Sequence, residues 1–87
     1  MIRVFITDDH AIVREGLRRI LEGQDGIDVA GEAVNGHEVM DRVRAGGFDV
    51  LLLDLSMPGK SGIDLIRQVR DEAPKLRIAT MSPERPT

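Results

Sequence analysis

Short apolar runs alternate with amphipathic stretches along the chain, and no segment repeats another. Four runs read as strands: Ile2 to Ile6, Ile27 to Ala33, Val50 to Leu53 and Leu76 to Met81. The third, Val50-Leu51-Leu52-Leu53, is continuously apolar, as suits a strand covered on both faces. Three helical patterns lie between them. Val13, Leu17, Ile20 and Leu21 stand at i, i+4, i+7 and i+8; Val39, Met40 and Val43 at i, i+1 and i+4; Ile63, Ile66, Val69 and Ala73 at i, i+3, i+6 and i+10. Each set predicts one buried stripe. The punctuation agrees: Gly23 follows the first helix, Asn35-Gly36 opens the second, Gly46-Gly47 closes it and Pro74 stops the third. Strand, helix, strand in this order predicts an α/β fold with a parallel sheet between helices. In such sheets a ligand sits beyond the carboxyl ends of the strands, at a topological switch point.

Composition narrows the picture. Of 87 residues 41% are hydrophobic and 9 are glycine, which suits one domain over residues 1–87 and leaves no room for a second core. Fifteen acids against 12 bases give a net charge of −3, with the bases interspersed among acids, which argues against direct binding of nucleic acid. The absence of cysteine excludes disulfides and thiolate metal sites and fits a reducing cytoplasm. Met1 leads straight into a short apolar run and then charge, with no secretory signal and no uninterrupted apolar span of membrane length.

The candidate chemistry is at two strand ends. The first strand ends in Thr7-Asp8-Asp9-His10 and the third in Leu53-Asp54-Leu55. With those strands as neighbours, three carboxylates meet, and each pair about 4 Å apart repels by roughly 4 kcal/mol at an effective dielectric near 20. A divalent cation relieves this, and an all-oxygen ligand set favours Mg²⁺ or Mn²⁺ over zinc, with carbonyls of the Ser56-Met57 loop available to complete the shell. A carboxylate held against such a metal beside open solvent can attack a phosphoryl group. Asp54 is the candidate nucleophile, because it leaves a buried strand singly, whereas Asp8 and Asp9 form an adjacent pair suited to a metal. The bland alternative is that Asp8 or Asp9 caps the helix near His10 and that Asp54 accepts loop amide bonds.

Met57-Pro58-Gly59 suits a type II turn. Ser82 follows the fourth strand, where its hydroxyl either bonds a phosphoryl oxygen on Asp54 or caps a helix started by Ser82-Pro83-Glu84; Thr80 is the rival hydroxyl. His10 and His37 read as surface or helix-start histidines, and Arg14, Glu15, Arg18, Arg19 and Glu22 as a solvated helix face.

Together, Asp8-Asp9 after the first strand, Asp54 after the third, Met57-Pro58-Gly59 beyond it and a hydroxyl after the fourth resemble the receiver domain of two-component response regulators. Asp8-Asp9-His10 followed by Val13-Arg14-Glu15-Gly16-Leu17 looks most like receivers of the LuxR/FixJ (NarL-like) transcription factors. The resemblance implies a flavodoxin-like parallel sheet of order 2-1-3-4 with flanking helices. It also implies that Asp54 accepts a phosphoryl group from a sensor histidine kinase, within a parent protein that controls transcription. Asp9 and Asp54 with the Ser56 backbone carbonyl would hold Mg²⁺, Asp8 would assist through water, and Ser82 would be the switch hydroxyl that contacts phosphate. Arg14 and Arg18 would belong to the kinase-docking face. A receiver of this kind continues through a further helix, a strand bearing a phosphate-binding lysine and a last helix; neither Lys60 nor Lys75 stands where that lysine does. The chain is therefore expected to be a receiver truncated after its fourth strand.

An uncovered fourth strand invites pairing with another chain, so a homo-oligomer is expected. Two rivals to the signalling module remain. One is an Mg²⁺-dependent phosphatase or phosphotransferase with an aspartyl nucleophile, against which stands Ser56 at the position where a general acid belongs. The other is a non-phosphorylated, dimerising interaction fragment.

Overall fold

The computed structural model describes residues 1–55 and 62–81. In chain order these form β1 (Ile2–Thr7), α1 (Ala11–Glu22), β2 (Ile27–Ala33), α2 (Gly36–Ala45), β3 (Val50–Asp54), α3 (Gly62–Glu72) and β4 (Arg77–Met81). The strands make one parallel sheet of order β2-β1-β3-β4, the flavodoxin-like arrangement expected. β4 starts at Arg77, one residue later than the apolar run suggests, because the Leu76 N–H closes the preceding turn on the Ala73 carbonyl at 3.1 Å.

The sheet has helices on both faces, but the two layers differ in depth. On the α2/α3 face, Phe5, Leu51 and Leu53 of the sheet are buried against Val39, Met40, Val43, Leu65 and Val69. The α2 stripe is as expected. In α3 the buried stripe is Leu65 and Val69, with Ile66 and, just past the helix, Ala73 half-buried, while Ile63 is 62% exposed. At 100° per residue Ile63 lies about 200° around the helix from Leu65, so the two cannot share a face. The i+3 template picks up Ile63 only because apolar residues crowd this stretch.

On the other face α1 covers Val4, Ile6 and Val29 with Leu17 and Leu21, both half-buried, and no residue of α1 is fully buried. The predicted single stripe is thus corrected: Ile20 is 63% exposed and Val13 42%, because only the i,i+4 pair Leu17 and Leu21 faces the sheet. Val50 and Leu52 of β3 are also only partly covered there.

Local signals set the element ends. Asn35 caps α2 by accepting the Glu38 N–H at 2.9 Å, and Glu38 reaches back to the Val34 N–H at 2.9 Å. Gly46 and Gly47 close α2 with φ of 74° and 96°, a region costly to residues with a Cβ. Gly62 starts α3 so close to Leu55 that a Cβ there would fall 2.6 Å from Leu55 Cδ2 and 3.1 Å from its Cα. This contact holds the start of α3 against the residue that follows Asp54.

Leu65→Ala is expected to cost about 2–5 kcal/mol, and Ile63→Ala less than about 0.5 kcal/mol. Urea unfolding followed by far-UV circular dichroism measures both, since the chain has no tryptophan or tyrosine to report by fluorescence.

Candidate functional site

β1 and β3 are neighbours with Thr7 opposite Leu53, so Asp8 and Asp54 emerge side by side at the carboxyl edge of the sheet. Both are buried, at 3% and 5% exposure. Asp8, Asp9, His10 and Asp54 each present a ligand atom, and all four atoms lie within 4.8 Å of one another. This is the switch point of the sheet, where β1 connects to one side and β3 to the other.

Asp8 is held by its own backbone and by one carboxylate oxygen. Its N–H donates to the Ala33 carbonyl at 3.1 Å. Its Oδ1 accepts the His10 N–H at 2.7 Å, a local turn of the kind that aspartate makes readily. Its carbonyl accepts from Arg14 Nη1 at 2.7 Å. The helix-cap alternative is not what forms: His10 is the N-cap of α1, and no side chain caps that end. Thr7, just before the pair, is fully buried and its hydroxyl has no hydrogen-bond partner among the described residues.

His10 is the residue that a reading of the sequence undervalues. Its Nδ1 lies 3.0 Å from Asp8 Oδ1 and 3.0 Å from Asp9 Oδ1. The hydrogen bond to Asp8, and then the charge of Asp9, raise its pKa above the ordinary 6.5. Position in sequence is a weak signal for this, since a histidine two residues after an aspartate reaches back only where the turn is formed. Glu32 on β2 is the second residue missed. It accepts from Arg14 Nε at 3.0 Å and Arg18 Nε at 2.8 Å, and Arg18 foremost holds its carboxyl below the usual range. No local pattern links positions so far apart. Arg14 and Arg18, expected on a docking face, are thus engaged within the fold; Arg18 also pairs with Glu22 at 3.5 Å. Arg19 and Glu15 form the expected i,i+4 pair at 3.0 Å. Thr80 is exposed on β4 opposite Leu53. Ser56, the turn expected at Met57-Pro58-Gly59, Lys60 and Ser82 lie outside the described residues.

The cluster fits a hard divalent cation. Opposite ligands around a cation with bonds of about 2.0–2.1 Å stand about 4 Å apart, close to the spread of these atoms, and three of the four groups are carboxylates. Asp8, Asp9 and Asp54 are the residues that would hold Mg²⁺ or Mn²⁺.

A doubly wound α/β domain with an acid pocket at its switch point defines the class, and comparison with known proteins gives the family. The response regulator receiver domain matches residues 4–86, and the chain belongs to that family. The response regulator UvrY of Escherichia coli O6:H1 is 42% identical over 82 residues, 94% of this chain and 38% of that protein. The chain therefore spans well under half the length of this curated relative. A LuxR-family two-component response regulator from Aurantimonas sp. SI85-9A1 superposes with a TM-score of 0.88 at 35% identity, covering 95% of this chain and 59% of the other. RcsB from Salmonella enterica serovar Typhimurium, solved bound to promoter rprA with the phosphomimetic BeF3-, gives a TM-score of 0.90 at 32% identity, covering 99% and 72%. No helix among the described residues is long and apolar enough to cross a membrane.

The raised pKa of His10 has a definite sign: its attraction to the acids is fully present below pH 6.5 and is lost as pH rises through the higher folded value. In a ¹H–¹³C titration the His10 ring, assigned by its loss in His10→Gln, is expected to titrate above 6.5. Asp8→Asn is expected to bring that midpoint down; an unchanged midpoint would show that the Asp8 contact is not its cause.

Proposed function

We propose that this chain is a signalling module whose Asp54 accepts a phosphoryl group from a phosphohistidine of a sensor histidine kinase in the cytoplasm, within a protein that regulates transcription. One observation carries this reading. Asp54 leaves a central strand at 5% exposure with its carboxylate beside those of Asp8 and Asp9, all within 4.8 Å. The family's solved member RcsB, bound to a promoter with a phosphomimetic, supports the link to transcription.

An Asp54 carboxylate oxygen forms the new P–O bond as the P–N bond to the donor imidazole breaks, and the imidazole leaves with the electron pair. A bound Mg²⁺ would supply charge neutralisation on the phosphoryl oxygens. Asp8 and Asp9 would hold that charge at the strand edge, and Leu53 and Leu55 flank Asp54. Ser56, where a phosphatase of this type carries its general acid, favours a stoichiometric acceptor over a turnover enzyme.

Incubation with acetyl phosphate and Mg²⁺ is expected to give a single adduct of about 80 Da by intact mass, absent in Asp54→Asn and with chelator. Continuous phosphate release without an adduct would instead identify a phosphatase, and no reaction at all would leave only an interaction fragment.

We also infer that the chain self-associates through β4. Among the described residues this strand is an edge of the sheet, with Ala79 and Thr80 exposed, and an unpaired strand edge pairs with other chains. Light scattering at tens of micromolar is expected to show a dimer or larger species; a monodisperse monomer would remove the idea.

A further inference from the structure

We propose that Arg14 is a positioning residue for the acid pair: its guanidinium ties the Asp8 carbonyl to Glu32 and so fixes the peptide unit that joins Asp8 to Asp9. The proposal rests on the reading of this cluster as a divalent-cation site. Arg14 Nη1 donates to the Asp8 carbonyl at 2.7 Å while Nε of the same planar fork donates to Glu32 Oε1 at 3.0 Å. The side chain is only 17% exposed. Because a peptide unit is planar, holding its carbonyl oxygen fixes the position of the next Cα, that of Asp9, from which its side chain reaches the cluster. The turn closed by Asp8 Oδ1 fixes the other side of the same loop. Glu32 is itself gripped by Arg18 Nε at 2.8 Å, so the fork is anchored to β2 and not to a loose side chain.

Charge and geometry predict opposite outcomes, which makes the role testable. A guanidinium near a cation site opposes the cation, so removing it should strengthen binding if charge were its only effect. If Arg14 positions the acids, removing it should weaken binding, by about tenfold for loss of a supporting contact behind a metal ligand.

The test is isothermal titration of Mg²⁺ into the full chain and into Arg14→Ala, Arg14→Lys and Arg19→Ala, at a temperature where circular dichroism shows each folded. The expected result is weaker binding by about tenfold in Arg14→Ala. Arg14→Lys should fall in between, since lysine keeps the charge but lacks the fork. Arg19→Ala removes the same charge from the same helix without touching Asp8 and should stay within about twofold of the parent. Should Arg14→Ala not fold, Arg14→Lys carries the comparison, and because it keeps the charge its weaker binding reports the lost fork. Equal or tighter binding in the variants, with the parent binding Mg²⁺, overturns the positioning role alone. A parent that does not bind Mg²⁺ overturns the cation reading and this inference with it.

Discussion

Parallel pairing of β1 with β3 is the constraint on which the rest of this molecule depends. With Thr7 opposite Leu53 the two strands run out together, and the residues that follow share one edge. Strands in a parallel pair carry their carboxyl ends to the same side, so acids placed at both ends converge. Each close pair of carboxylates costs roughly 4 kcal/mol at an effective dielectric near 20, against a net stability of about 5–15 kcal/mol for a typical domain. The packing of Phe5, Leu51 and Leu53 beneath α2 and α3 is what holds the strands in place against that repulsion. Any cation that binds the cluster stabilises the folded chain by mass action, because the unfolded chain does not bring the acids together.

The two helical layers divide the work. The α2/α3 face is deep and apolar, with fully buried residues from both helices and from the strands between them. Under α1 the apolar contact is thinner, and ion pairs supplement it: Glu32 joins β2 to Arg14 and Arg18 at 17% to 36% side-chain exposure. The acid pair is tied to this thinner layer through the Asp8 carbonyl. The deep layer therefore fixes where the strand ends lie, and the polar layer fixes how the loop beyond β1 is turned.

Much of this is legible in the sequence, for definite reasons. Apolar residues at near-alternate positions mark Ile27–Ala33, a continuous run marks Val50–Asp54 to within one residue, and Asn35-Gly36 and Gly46-Gly47 bound α2, because those signals act within a few residues. The convergence of Asp8, Asp9 and Asp54 follows once the strand order is known. Helix faces are less legible. In α1 and α3 apolar side chains occupy more of the circumference than the sheet covers, and sequence spacing does not say which arc is buried. Leu65 and Ile63 exchange roles on that account. Glu32 carries no local signal because its partners lie 14 and 18 positions away, on another element.

The acids themselves show where folding ends and chemistry begins. The turn at Asp8 needs one side-chain oxygen to accept the His10 N–H, and an asparagine makes the same turn without charge. Asp9 meets His10 only through the imidazole, which is itself largely exposed. Neither the turn nor the start of α1 requires an ionised group at both positions. Asp54 adds a third carboxylate from a different strand to the same few ångströms. Shape alone would be served by neutral residues at these places, and burial of like charge works against the fold. The charge is thus an excess over what the structure needs, and under the proposed function a cation together with an incoming phosphoryl group is the chemistry that would use it.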